Sequence, residues 1–296
     1  MEKFFIATGH AMRAREFSVA RLPAALRSLT TEAISLAREA GRILRRRFRT
    51  AVRVTVKGPA DIVTATDVEV QALIVRRIRR RFPAHGILAE EGLDATAGTE
   101  WRWIVDPLDG TKNFAHGIPS FCVSIAAERG GRVELGVVLD PIHDELFAAV
   151  RGCGAWCNGR PIRVSEVSRI EAAFLGTGLP HWVRRFAGSV GRTFTRFAAR
   201  SLGVRDHGAG ALDLCYVACG RFDGYWEIDQ SPWDIAAGGL IVEEAGGRMS
   251  NFRGEPFDIF GGETVASNGK IHNQILAVLA MPGGIPKRYK PPLQRR

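Results

Sequence analysis

The chain has 296 residues, 46% hydrophobic and 24% charged, with 41 Lys+Arg against 31 Asp+Glu. These proportions are globular and exclude disordered and fibrous chains, and no apolar run reaches the roughly eighteen residues of a membrane-spanning helix. Five cysteines in a chain of this length do not make a disulfide framework and point to reduced thiols in a cytoplasmic protein.

The net charge of +10 is unevenly spread. Residues 1–60 hold 13 Lys+Arg and 4 Asp+Glu, and residues 285–296 hold five basic residues and no acid. The stretch 61–284 is left with 23 basic and 27 acidic residues. A nucleic-acid surface usually sets its basic stripe on the folded body. Basic ends read first as solvated tails, so binding to nucleic acid ranks well below the plainer expectation.

In chain order, residues 1–29 read as an extension ahead of the fold, without the pattern of a secretory signal, and Met12 offers an alternative start. A first helix is expected from Thr30 or Thr31 as N-cap, with Ala33, Ile34, Ala37, Ile43 and Leu44 in its stripe and Arg45, Arg46 and Arg47 at its C-terminal end. Residues 52–56 alternate as a strand, and a second helix runs from about 67 to 81, ended by Pro83. Residues 103–105 form a buried strand that stops at Asp106-Pro107. Residues 121–127, 133–139 and 145–150 read as an antiparallel run turning through Gly130-Gly131. The second half alternates strands at 173–176, 223–227 and 264–267 with helices at about 211–219, 233–245 and 270–280. The sum is a single domain over 30–281, of mixed α/β layers in two halves meeting near residue 160, with a basic tail from 282 to 296.

The acids carry the chemistry. Glu90-Glu91 follows the apolar run 86–89, Asp106 follows 103–105, Asp109 comes three residues later, and Asp234 opens a helix. Singly, each has a plain reading as an N-cap or turn residue. Together, at strand ends and helix starts of a layered fold, they converge on one cleft. Carboxylates gathered in one cleft repel, and a hard cation such as Mg²⁺ resolves the repulsion. The pairs Cys153/Cys157 and Cys215/Cys219 lack zinc spacing and read as small core or helix-face residues. Asp109-Gly110-Thr111-Lys112-Asn113-Phe114 reads as a turn entering a helix, where free N–H groups suit a phosphate. Metal-binding acids beside a phosphate cradle imply metal-assisted phosphoester hydrolysis.

Four blocks then resemble the inositol monophosphatase family, within the lithium-sensitive phosphatase superfamily that includes fructose-1,6-bisphosphatases: residues 61–67 (DIVTATD), 90–92 (EEG), 106–114 (DPLDGTKNF), and 233–238 (WDIAAG) with 244–247 (EAGG). The segments 157–159 and 220–227 also fit, so the resemblance covers roughly 30–280. It implies an α/β (α+β layered) fold, an α-β-α-β-α sandwich, and a homodimer. It implies that Glu90, Asp106 and the Leu108 carbonyl bind one Mg²⁺, that Asp106, Asp109 and Asp234 bind a second, and that Glu90 helps hold a third. Gly110 and Thr111 would contact phosphate, Thr111 supported by Asp67 would orient the attacking water, Glu227 would hydrogen-bond substrate hydroxyls, and Asp109 and Gly210 would also contact the substrate. The substrate would be inositol monophosphate or a similar polyol phosphate. The alternatives are histidinol phosphate, fructose-1,6-bisphosphate or a 3′-phosphonucleotide, or an added role with RNA or the transcription machinery, as some bacterial members have. Two departures lie on the alcohol side: His207-Gly208-Ala209-Gly210-Ala211 where relatives often carry Ser or Thr and Ala, and Asp229-Gln230 where they often carry glycine or an apolar residue. Lys57 reads as a screen for the site or as an exposed lysine after a strand, and Glu91 as a support for the acids around it.

Overall fold

Leu29, Ala33, Leu36, Ala37, Ala40 and Leu44 recur at helical spacing and are all buried, which makes one stripe of helix α1 (Ala24–Arg47). The computed structural model describes residues 19–51, 53–58, 61–95, 99–180 and 183–285. Residues 1–18, with Met12, and 286–296, most of the expected tail, lie outside the described residues, as does Val52.

After α1 come β1 (Val54–Gly58), β2 (Asp61–Thr64), α2 (Ala65–Arg81), β3 (Gly86–Ala89), β4 (Leu93–Ala95), β5 (Trp101–Asp109) and α3 (Thr111–Ala115). A meander follows: β6 (Cys122–Arg129), β7 (Arg132–Asp140), β8 (Glu145–Val150), β9 (Gly154–Cys157) and β10 (Arg160–Pro161). The second half holds β11 (Phe174–Thr177), α4 (Val183–Ala198), β12 (Gly203–Asp206), α5 (Gly210–Ala218), β13 (Gly224–Ile228), α6 (Pro232–Glu244), β14 (Arg248–Ser250), β15 (Glu263–Ser267) and α7 (His272–Leu279).

An eight-stranded sheet runs β10-β9-β8-β7-β6-β5-β3-β4 and a five-stranded sheet runs β12-β11-β13-β15-β14. Helices α1 and α2 cover one face of the large sheet. Helices α5 and α6 fill the space between the two sheets, and α4 and α7 cover the far face of the small one. The expected α-β-α-β-α layering is therefore present. Its middle layer is legible in composition, since α6 is apolar nearly all round and buries nine of its residues. Close packing there needs a missing side chain: a Cβ on Gly136 of β7 would stand 2.6 Å from the Ala237 carbonyl oxygen of α6.

Several boundaries differ from the sequence expectation. Helix α1 starts at Ala24 behind Pro23, and Thr30 and Thr31 are inside it, their hydroxyls donating to the Leu26 and Arg27 carbonyls at 2.7 and 2.9 Å. Strand β5 does not stop at Asp106-Pro107. It continues to Asp109 through a register shift opposite β6, a bulge that absorbs the proline. Helix α4 was not expected at all. The first residues of the expected tail are fastened to it: Ile285 is buried, and Arg192 and Arg196 donate to the carbonyls of Gly283 and Met281. Cys153 is exposed rather than in the core.

The α6–β7 contact gives a test. Gly136→Ala should lower stability by about 1–3 kcal/mol through overpacking, read as a lower thermal midpoint. An unchanged midpoint would show that α6 is free to shift away from β7.

Candidate active site

The site grows from capping. Thr64 caps α2: its hydroxyl accepts from the N–H groups of Thr66 and Asp67 at 3.2 and 3.4 Å. Asp67 Oδ2 accepts from the Thr64 N–H at 3.0 Å and from the Thr64 hydroxyl, closing a capping box. The box leaves Asp67 Oδ1 to accept from the Thr111 hydroxyl at 2.9 Å. Thr111 begins α3, behind Gly110 in the left-handed region (φ 88°), where a Cβ would meet the Ser120 carbonyl oxygen at 2.8 Å. Its hydroxyl also lies 2.9 Å from the Leu108 carbonyl. Phe114 packs on Phe48 and Phe121, and Asn113 donates to the carbonyls of Ser120 and His207, tying this turn to the approach to α5.

Other acids are pinned through one oxygen in the same way. Asp106 Oδ1 accepts from the Leu108 N–H at 2.9 Å. Asp109 Oδ2 accepts from the Ala211 N–H in the first turn of α5 at 2.8 Å and from the Cys122 thiol at 3.5 Å. Asp234 Oδ2 accepts from the Ser231 N–H at 2.7 Å in a second capping box, behind Pro232. Glu90 follows β3, next to Glu91, whose backbone N–H donates to Gln71 Oε1 at 3.0 Å. Glu90, Asp106, Asp109 and Asp234 line one cavity of about 350 Å³ with Leu108, Gly110, Thr111, Gly210 and Glu227. Asp67 stands behind it, in contact with Thr111.

Burial in mutual proximity has a measurable consequence. Glu90 is pushed up to about 8, first by burial and then by the charge of Asp234. Asp234 is pushed up to about 8 by burial and by Asp109, and Asp109 to about 6 by burial against the opposing hydrogen bond from Ala211. Asp106 is raised strongly by burial and by Glu90. Burial pulls the Lys57 ammonium down, but its bond to Glu91 at 2.7 Å and the charge of Glu90, 3.8 Å away, raise it overall. Lys57 thus faces the acids as a partial counter-charge.

Among the described residues, no three acidic, histidine or cysteine side chains already close on one point as a metal cage. Hard cations do not require one, because they complete their shell with waters, carbonyls and substrate oxygens. The donor set fits Mg²⁺: all-oxygen, acidic, and with Glu90 Oε2 buried and unpartnered. All five cysteines are free thiols, and Cys122 meets the site only as a donor to Asp109.

The cavity wall holds further groups. Asp61, marked in the sequence only as part of a family block, belongs to it, as do Asp206 and Asp213, which the sequence reading does not mark. So does Gln230, marked only as a departure on the alcohol side, which touches Tyr225. Tyr225 was detectable, since it shares a strand face with Glu227 at a spacing of two.

Residues 25–281 match the profile of the Inositol monophosphatase family, and the chain belongs to that family. It is 41% identical to the Pseudomonas aeruginosa protein named Nus factor SuhB over 265 residues, 83% of this chain and 94% of that one. It is 41% identical to inositol-1-monophosphatase of Mesorhizobium japonicum over 252 residues, 84% of this chain and 95% of that one. The extragenic suppressor protein suhB of Bartonella henselae superposes with a TM-score of 0.80 at 38% identity, covering 86% and 99% of the two chains. A more distant structure, at 26% identity and a TM-score of 0.79 with 90% and 100% of the chains covered, is an IMPase/NADP phosphatase complexed with Mg²⁺ and phosphate. The protein is a phosphatase of this family.

The raised carboxyls predict a pH dependence. Each holds its proton more tightly folded than at its ordinary value of 3.8 or 4.5. Their contribution to stability is therefore full at low pH and is lost as pH rises from about 4 to about 8. In chelator the thermal midpoint should fall over that range, and saturating Mg²⁺ should remove most of the fall. Equal slopes with and without Mg²⁺ would contradict the reading.

Proposed function

We propose that the protein is a Mg²⁺-dependent phosphomonoesterase that hydrolyses inositol monophosphate or a similar polyol phosphate. The observation that carries this reading is the Thr111 hydroxyl, held 2.9 Å from Asp67 Oδ1 at the edge of a wall of four acids. Glu90, Asp106 and the Leu108 carbonyl would hold one Mg²⁺, and Asp106, Asp109 and Asp234 a second, with Glu90 serving a third. Mg²⁺ held there supplies positive charge that acidifies water and offsets charge on the phosphoryl and leaving oxygens. The chain's own groups do the positioning. A hydroxyl has one hydrogen to give. Were the Leu108 carbonyl to serve as a ligand, Thr111 would give that hydrogen to Asp67 Oδ1, 2.9 Å away, and its lone pairs would be left to orient a water for in-line attack. The N–H groups of Gly110 and Thr111 would receive phosphate oxygens. Glu227 and Gly210 would face the alcohol, and Asp109, in the same cavity wall, would also contact the substrate.

The reaction needs no covalent phosphoenzyme. The substrate partner is a small phosphomonoester, and the expected assembly is a homodimer. Free thiols suit a cytoplasmic setting, and no described helix is long and apolar enough to cross a membrane.

A second reading adds a role to catalysis. The Pseudomonas relative carries a Nus factor name, and the basic ends of this chain would favour an acidic partner such as RNA or the transcription machinery. Removing residues 286–296, which hold five basic residues and no acid, should then weaken capture of that partner and leave hydrolysis intact; equal behaviour of both proteins in both assays removes the idea.

Phosphate release tests the main reading. Inositol 1-phosphate should be hydrolysed only with Mg²⁺, and Li⁺ should inhibit. Asp109→Asn should abolish most turnover with the fold kept. Thr111→Ala should lower kcat by about a hundredfold or more, the usual size of a lost proton-handling group. Mg²⁺-independent release, or normal turnover in Asp109→Asn, would overturn the assignment.

A further inference from the structure

Tyr225 and Gln230 have no part in the hydrolysis described above, yet both are buried beside Glu227. Tyr225 donates its hydroxyl hydrogen to Glu227 Oε2. The phenol can then only accept from Gln230, whose Nε2 donates to it at 3.0 Å. This directional chain fixes which end of the amide is which. The nitrogen faces Tyr225, and the carbonyl oxygen, Gln230 Oε1, is left buried without a partner in a residue that lines the cavity. Gln230 is 4% exposed, so an unmet acceptor there is costly and selects for a donor.

Two glycines make room for the two polar side chains. A Cβ on Gly210 would stand 2.7 Å from Gln230 Nε2 and 3.0 Å from the Tyr225 hydroxyl, and a Cβ on Gly178 would run into the Glu227 carboxylate. Gln230 itself sits on a fixed corner. Asp229 before it is left-handed (φ 75°), and its N–H is tied to the Gly262 carbonyl at 2.7 Å. The two departures on the alcohol side are thus one device: the glycine at 210 admits the amide at 230.

We propose that Gln230, admitted by Gly210 and oriented by Tyr225, is a specificity-determining residue whose carbonyl accepts a hydrogen bond from a substrate hydroxyl next to the one taken by Glu227. The pocket is thereby built for a phosphate ester of a polyol that offers two neighbouring hydroxyl donors, and it discriminates against esters that lack them, because the buried acceptor is then left unmet. This inference rests on the phosphatase reading above.

The test compares inositol 1-phosphate with cyclohexyl phosphate, the same ring without hydroxyls, in the wild type, Gln230→Ala, Gly210→Ala and the double variant. Gln230→Ala should lower the ratio of kcat/KM for the two esters about tenfold, through KM for the polyol ester, the size of one hydrogen bond. Gly210→Ala, which displaces the amide, should lower it similarly, and the double variant should be no worse than either single one. Should Gln230→Ala melt early, Gln230→Met keeps the volume and should show the same fall. An unchanged ratio in the Gln230 variants, or losses that multiply in the double variant, overturns the proposal while the phosphatase reading stands. Silence of the wild type on both esters with Mg²⁺ overturns both.

Discussion

Four acidic side chains share one cavity wall and repel each other, Asp106 fully buried and Glu90, Asp109 and Asp234 partly so, and the protein holds them there. Glu90, Asp106, Asp109 and Asp234 are each raised by burial, and neighbouring carboxyl charge adds to the rise at Glu90, Asp106 and Asp234. Packing alone has no use for such an arrangement, since a buried ionised carboxyl without a partner is among the costliest things a fold contains. The strain is tolerated because backbone N–H groups grip Asp106, Asp109 and Asp234 through one oxygen each. The remaining oxygens are left to share positive charge, which Mg²⁺ brings in the functional reading and Lys57 supplies only at the edge.

The layered architecture explains how distant segments reach the same wall. Asp106 and Asp109 come from the end of β5 in the large sheet, Asp234 from the start of α6 in the middle layer, and Glu227 from β13 in the small sheet. The site therefore depends on the spacing between sheets, which α5 and α6 set. Small residues keep that spacing short: Gly136 against α6, and Gly210 against Gln230. The first locates an acid, and the second shapes the pocket for the alcohol.

Much of this was readable in the residues. Alternation and a 3.6-residue period located the meander and α2 to within a few residues, and α5, α6 and α7 were placed as closely by the alternation of apolar strands and helices in the second half. Four acids just past strands or at helix starts were readable as a cluster because those ends converge in layered folds. What escaped has physical reasons. Helix α4 carries a stripe at Phe186, Val190, Phe194 and Phe197, but Gly188, Gly191 and scattered arginines dilute it, and its backbone is irregular at Phe186. Pro107 read as a strand end because a proline removes a ladder hydrogen bond, whereas a bulge accommodates it here. The start of α1 was misplaced because Thr30 and Thr31, good caps by type, bond back to carbonyls within the helix. The fit of Gln230 over Gly210 was beyond sequence reading, since it exists only once α5 meets the corner after β13.

The central claim is that the acidic wall holds protons which a divalent cation displaces. Titration calorimetry of Mg²⁺ binding near pH 7, repeated in buffers of different ionisation enthalpy, counts the protons released. The account predicts net release on binding at that pH, diminishing as the pH is raised past about 8 where Glu90 and Asp234 are already ionised. Binding without proton release would mean that the carboxyls are fully ionised before the metal arrives, and would contradict it.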